Sequence, residues 1–293
     1  MPAAPLLDRD FLERLERLTI HWQRSFAGLV GGHNRSRFAG GGQEFLDHRN
    51  FHHGDDLRSV NWRAFMRLDK MFMKMFQIEP RVPVRILLDT SSSMAASPGK
   101  FLYASRLAAA LCYVGLVRLD TIHVLPFESR LREGKVAGGG RHRYRHVSEF
   151  MQTLEPGGAT DFKAIVRQLL NEYPQRGLLI VISDFLDEAG CEKSLQYLAD
   201  YGNELMLLQI WADEDRTPPW QGEVDLTDAE SGARLRIEVD EDAVKSYTAA
   251  FDVFAAGLKE IALRNEGTYA GLPTSTPLDD AIFGTMIRAR SIA

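Results

Sequence analysis

Asp89, Ser91 and Ser93 occupy alternate positions in the stretch VRILLDTSSSMAAS, directly after an apolar run that ends at Leu88. If the chain turns sharply there, one carboxylate and two hydroxyls converge on a single point. Two further segments bring oxygen donors to the same edge: GGATDF offers Thr160 and Asp161, and LLIVISDF delivers Ser183 and Asp184. Such donors suit Mg²⁺, and also Mn²⁺ or Ca²⁺, whereas zinc prefers nitrogen and sulfur. Asp89, Ser91, Ser93, Thr160 and Asp184 would make an octahedral site with water included. Because Mg²⁺ usually keeps some of its waters, one position would stay exchangeable. Asp161 is better explained as a cap for the helix it opens, so Thr160 is the expected ligand.

Each of these residues also has a purely structural explanation, since Ser and Asp favour helix N-caps and turns. Their joint appearance in three segments that reach one edge favours the metal. The same set argues against catalysis. A hydrolase that uses a strand-end aspartate as phosphoryl acceptor would carry a second aspartate two residues later, where Ser91 stands. No G-x-S-x-G elbow surrounds the serines and no G-x-x-x-x-G-K-[ST] loop exists, SPGK being only a fragment of one. A noncatalytic binding module is therefore expected. The alternative is a metal-dependent phosphate-ester hydrolase in which Asp89 or Asp184 activates water. His48, His52 and His53 lack partners at zinc spacing, and Cys112 and Cys191 fall inside expected helices as a distant pair.

The elements that would position the site alternate from Val82 onward, as in an α/β domain with a mostly parallel sheet flanked by helices. Strands are expected at VRILL, TIHVLPF, LLIVIS, ELMLLQIWA and TYAGL. Helices are expected near 100–118, 162–173, 191–201 and 243–266, with a last one over 277–290. GEVDLTDAESGARLRIEVD reads as an antiparallel hairpin added at the sheet edge. Upstream, Phe11, Leu15, Leu18 and Trp22 space an amphipathic helix over about 9–26. GLVGGHNRSRFAGGGQEF reads as a loop, and MFMKMFQIE fits either a strand or a helix face. The expected division is residues 1–80, an N-terminal helical extension with an upstream segment, and 81–293, the α/β domain.

With 293 residues, 45% of them hydrophobic, the chain can bury a substantial core. No apolar run approaches the roughly 20 residues of a membrane span, so no membrane span and a cytoplasmic location are expected. The net charge is −5, but residues 213–260 carry 13 acidic and 5 basic side chains, a local −8. The remainder is then +3, which argues against a nucleic-acid partner. RHRYRH, Arg141 to His146, is the basic exception and reads as a solvated loop.

DTSSS after a core strand, taken with Thr160 and Asp184, resembles the metal-ion-dependent adhesion site (MIDAS) of von Willebrand factor A-type domains, a Rossmann-like fold. In that family a protein partner's carboxylate completes the metal. The upstream stretch FLDHRNFHHGDDLRSVNWRAFMRLDKMFMKMFQIE resembles the G-D-D-x-R-x-x-N-W-R hallmark of bacterial domain-of-unknown-function family 58 (DUF58), although the family commonly has a proline before the glycine. The two resemblances cover most of the chain from about Phe45. They imply a magnesium-dependent protein-binding adaptor or assembly factor. Its implied partner is a MoxR-type AAA+ ATPase or a client of that ATPase, offering an acidic side chain. GDDLRSVNWRAF also has a plain structural reading, with Trp62 and Phe65 in a core.

Overall fold

The computed structural model describes residues 5–20, 44–52, 60–77 and 83–292. The chain divides into two compact units, Met1–Phe26 with Val82–Ala293, and Ala27–Arg81. The first helix, α1 (Arg9–Leu15), therefore goes with the α/β unit rather than with the upstream segment. Its Phe11 and Leu15 are buried in the α/β core, which accounts for the difference from the expected boundary. The helix is capped by Asp8, whose carboxylate accepts from the Phe11 amide, and it stops at Leu15. The chain then runs on to pair Ile20 with Ile292. The expected continuation over 21–26, and the loop read over 28–45 up to residue 43, lie outside the described residues; Glu44 and Phe45, read as the end of that loop, begin a strand.

In the smaller unit, β1 (Glu44–Asn50), α2 (Trp62–Leu68) and β2 (Phe72–Gln77) follow in order. Within MFMKMFQIE, Phe72–Gln77 is thus a strand, paired antiparallel with β1. Asn61 caps α2 through the Ala64 amide, and the helix buries none of its residues. Trp62 is half exposed, so it is not the core residue expected of it. Gly54, Asp55, Asp56 and Arg58 of the GDD motif, and His53, lie outside the described residues.

The α/β unit runs β3 (Val84–Asp89), α3 (Lys100–Val117), β4 (Ile122–Phe127), β5 (Lys135–Ala137), α4 (Tyr144–Gln152), α5 (Phe162–Glu172), β6 (Leu178–Ser183) and α6 (Glu192–Asp200). It continues with β7 (Glu204–Trp211), α7 (Asp213–Arg216), β8 (Gly222–Thr227), β9 (Arg234–Val239), α8 (Glu241–Arg264), β10 (Thr268–Pro273) and α9 (Leu278–Asp280). The main sheet has the order β10-β7-β6-β3-β4-β5 and is parallel except for β5.

Side chains alternate across the pleat. Ile86 and Leu88 of β3 pack with α1, α3 and α4 on one face, while Leu87 packs with α5, α6 and α8 on the other. Both faces are covered, which explains the continuous apolar runs. Among the described residues only α3 is long and apolar enough to cross a membrane by length and composition, and most of it is buried.

Three expectations change. The hairpin β8-β9 forms a separate two-stranded sheet instead of extending the main one. One face carries Val224, Leu226 and Ile237, all half-buried, and the buried Val239, while the other is exposed. The final helix is broken, α9 passing into a wide π-type turn over Ala281–Met286 that buries Ala281, Ile282 and Met286. RHRYRH is no loop: Arg141–Arg143 makes a tight turn and Tyr144 starts α4. Within it Arg141 pairs with Glu16 at 2.6 Å and Arg145 with Glu149 at 2.7 Å.

Candidate functional site

From β3 the chain moves to β4 on one side, and it later returns to place β6 on the other, so strand order reverses between β3 and β6. Ligands of open α/β sheets bind beyond the strand ends at such a switch. Asp89 ends β3 and Ser183 ends β6, one step beyond the Leu88–Ile182 pair. The Ser183 hydroxyl donates to Asp89 Oδ2 at 2.5 Å, which joins the two strand ends directly.

Asp89 also turns its own loop. Its Oδ1 accepts from the Ser91 amide at 2.9 Å, an Asx-type turn that leads into a short 3₁₀ segment from Ser92. The Ser91 and Ser93 hydroxyls then meet at 2.9 Å. The sharp turn expected after Leu88 is present. Asp89, Ser91 and Ser93 are all buried. Burial, and secondarily the charge of Asp184, push the Asp89 carboxyl up to about 7 against the hydrogen bonds from Ser183 and Ser91.

Asp184 follows on β6, and its Oδ1 accepts from the Leu186 amide at 3.1 Å. Between them Phe185 adopts φ 62°, a left-handed conformation costly for a bulky residue. Its ring stacks on Phe162 at 5.9 Å, and Phe162 meets Phe127 edge-on at 5.6 Å. This buried aromatic row lies under the loops after β4 and β6 and before α5, and it holds Phe185 in the strained geometry.

The loop carrying Thr160 docks on the Asp89 loop through two backbone bonds, Gly157 N–H to Thr90 O at 2.7 Å and Ser92 N–H to Gly158 O at 2.8 Å. Asp161 caps α5 through the Ala164 amide. Gly158 has φ +86°, and a Cβ there would lie 2.6 Å from Glu128 Oε2. Gly158→Ala should cost about 1 kcal/mol in a urea melt, because an L-residue is strained at that φ. It should also weaken any ligand held through Thr160. An unchanged melt would mean that the loop relaxes freely.

Sequence reasoning missed four residues. Lys100, fully buried at the start of α3, places its ammonium 2.8 Å from both Asp184 and Asp215 and 3.4 Å from Ser93 O. Burial pulls the Lys100 pKa down, but the two carboxylates outweigh it and the net shift is upward. A lone lysine ahead of an apolar helix was the available signal. Asp215 follows β7 as a third strand-end carboxylate and accepts from Ser97 Oγ at 3.2 Å. Asp187 receives the Phe162 and Ala189 amides, tying the start of α5 to the loop after β6. Glu230, at the tip of the β8-β9 hairpin, accepts from the Thr160 amide at 2.8 Å and the Thr160 hydroxyl at 3.0 Å.

Asp89, Ser91, Ser93 and Asp184 are therefore brought together, whereas Thr160 is joined to them through its backbone loop and is bonded to Glu230. Among the described residues no group of three or more His, Cys, Asp or Glu side chains is arranged to hold a metal, so a cation here would rely on hydroxyls. The donors fit one chemically. They are all hard oxygens, and only Asp184 and Asp215 share the Lys100 ammonium, while Asp89 is bonded to Ser183 and Ser91. Cys112 and Cys191 are free and buried, and burial raises both thiols, leaving them poor nucleophiles.

The family model for the protein of unknown function DUF58 matches residues 47–253. The chain belongs to the DUF58 family. Uncharacterized proteins of Mycobacterium tuberculosis and Mycobacterium bovis are each 23% identical over 239 residues, 80% of this chain and 75% of theirs. Among solved structures, BatB from Bacteroides thetaiotaomicron is 19% identical with a TM-score of 0.41, over 71% of this chain and 98% of that one. The pilus adhesin SpaC from Lactobacillus rhamnosus GG is 12% identical with a TM-score of 0.44, over 73% of this chain and 30% of that one.

Proposed function

We propose that this DUF58 protein is a noncatalytic, metal-dependent protein-binding module with a von Willebrand factor A-like fold. Asp89, Ser91, Ser93, Thr160 and Asp184 would hold Mg²⁺, with Mn²⁺ or Ca²⁺ as alternatives, and the ion would grip a partner's carboxylate. The observation that carries the reading is the junction at the β3/β6 switch. There a buried Asp89 bonded to Ser183 sits beside paired serine hydroxyls with no ammonium or guanidinium bonded to it among the described residues. A divalent ion would supply that missing charge.

The arrangement offers little to a hydrolase. Ser91 stands where a second acid would be, and Asp184 and Asp215 are both held by Lys100. Neither is free to take a proton from water, and Asp89 would have to do so alone, with both of its oxygens already accepting hydrogen bonds. The site is better suited to binding than to turnover.

The partner we propose is a MoxR-type AAA+ ATPase or a client of it, for which this protein would act as adaptor or assembly factor. A pull-down of the purified ATPase should succeed in Mg²⁺ and fail both in chelator and with Asp89→Ala. Equal capture by Asp89→Ala would end the adhesion reading.

A further inference from the structure

A metal that grips a partner's carboxylate needs an accessible position, yet the structure already brings a carboxylate to this site from its own chain. Glu230 bonds both the amide and the hydroxyl of Thr160, and Thr160 is only 8% exposed. Resting on the metal reading above, we propose that Glu230 is an intramolecular ligand of the site. It occupies the position an acidic partner must take, so the partner binds by displacing the hairpin tip.

The hairpin is built for such a role. Asp228 orders its tip, the carboxylate accepting from the amides of Glu230 and Ser231 at 3.1 and 2.6 Å and from the Ser231 hydroxyl at 2.6 Å. This presents Glu230 in a defined pose. Along the arm the ladder is complete from Gly222–Val239 to Thr227–Arg234, and Arg236 clasps Asp225 at 2.6 and 3.0 Å. Between Gly222 and Glu238 no side chain is fully buried, Val224, Leu226, Glu230 and Ile237 being half-buried, and Val239 at the base is the one buried residue of the two strands, so moving the arm uncovers little apolar surface. At the base, α8 starts immediately at Glu241 with its own cap, Asp240 accepting from the Ala243 amide. The arm can thus lift as a unit while the helix that follows keeps its start. A carboxylate that takes both the amide and the hydroxyl of Thr160, on an arm that buries little else, is what an exchangeable self-ligand requires. The chemistry that would compete is another carboxylate on a protruding turn, which makes the preferred partner an acidic loop.

The test uses full-length protein, wild type and Glu230→Ala, with Glu230→Gln as the conservative control. Two readouts are taken: hydrogen exchange of the peptide covering Thr160, without metal and with Mn²⁺, and water-proton relaxation by bound Mn²⁺. Glu230→Ala should raise exchange at Thr160 about tenfold in both conditions. It should also raise the relaxation per bound Mn²⁺, because water takes the vacated position, and Glu230→Gln should show a smaller increase. Wild type and variant that bind Mn²⁺ with the same relaxation and the same exchange would overturn the self-ligand while leaving the metal reading intact. If neither binds Mn²⁺, the metal reading fails, and the self-ligand falls with it even if exchange at Thr160 rises.

Discussion

Lys100→Met should lower the unfolding free energy by about 3–5 kcal/mol in a urea titration at pH 7.5, the usual range for breaking a buried ion pair from one side. Methionine keeps most of the volume and unbranched shape of the lysine stem, so the loss reports charge rather than a cavity. The wild-type ammonium is fully enclosed and lies 2.8 Å from both Asp184 and Asp215. Removing it leaves two carboxylates facing each other's field near Asp89, which already carries the repulsion of Asp184. The double variant Lys100→Met/Asp184→Asn should recover part of the loss, since the two residues share one interaction. A single-variant loss under about 1 kcal/mol would show that water replaces the ammonium and that the cluster is less closed than the structure implies.

Asp89→Asn should have the opposite sign in chelator-treated protein. Burial holds the Asp89 carboxyl near 7, above its ordinary value of 3.8, so the folded state favours the protonated form. The favourable contribution of that proton is complete below about pH 3.8 and is lost as pH rises through 7. Above that, ionised Asp89 costs on the order of 4 kcal/mol relative to a neutral group. Asparagine keeps an acceptor for the Ser91 amide and carries no charge. At pH 8 the variant should therefore melt several degrees above metal-free wild type, and the gap should close toward pH 5. A gap that stays constant across this range would mean that Asp89 does not titrate there.

Much of the scaffold was legible in the sequence, because buried parallel strands need apolar residues on both faces. VRILL, LLIVIS and ELMLLQIWA could hardly be anything else. Short or exposed elements were less visible. β5 is three residues long, and β1 pairs through residues that carry no strong alternation. The hairpin was visible through its Ser-Gly turn, but its placement was not, since strand pattern says nothing about which sheet a strand joins.

At the site, the residues that follow strands could be found from position alone. Asp89 and Asp184 are examples, and Asp215 after β7 could have been found in the same way. Glu230 could not, because it reaches Thr160 across 70 residues from a tip whose sequence reads as an ordinary turn. Lys100 was hidden for a different reason. A lysine is usually exposed, and only two carboxylates from different strand ends make its burial tolerable.

Whether the β3/β6 junction holds a divalent cation is read by calorimetric titration of chelator-stripped wild type and Asp89→Asn with Mg²⁺ and Mn²⁺. Wild type should show one site, weakening as pH falls below 7, and the folded variant none. Equal binding by the variant, or no heat and no thermal stabilisation of wild type at millimolar metal, would contradict the cation site.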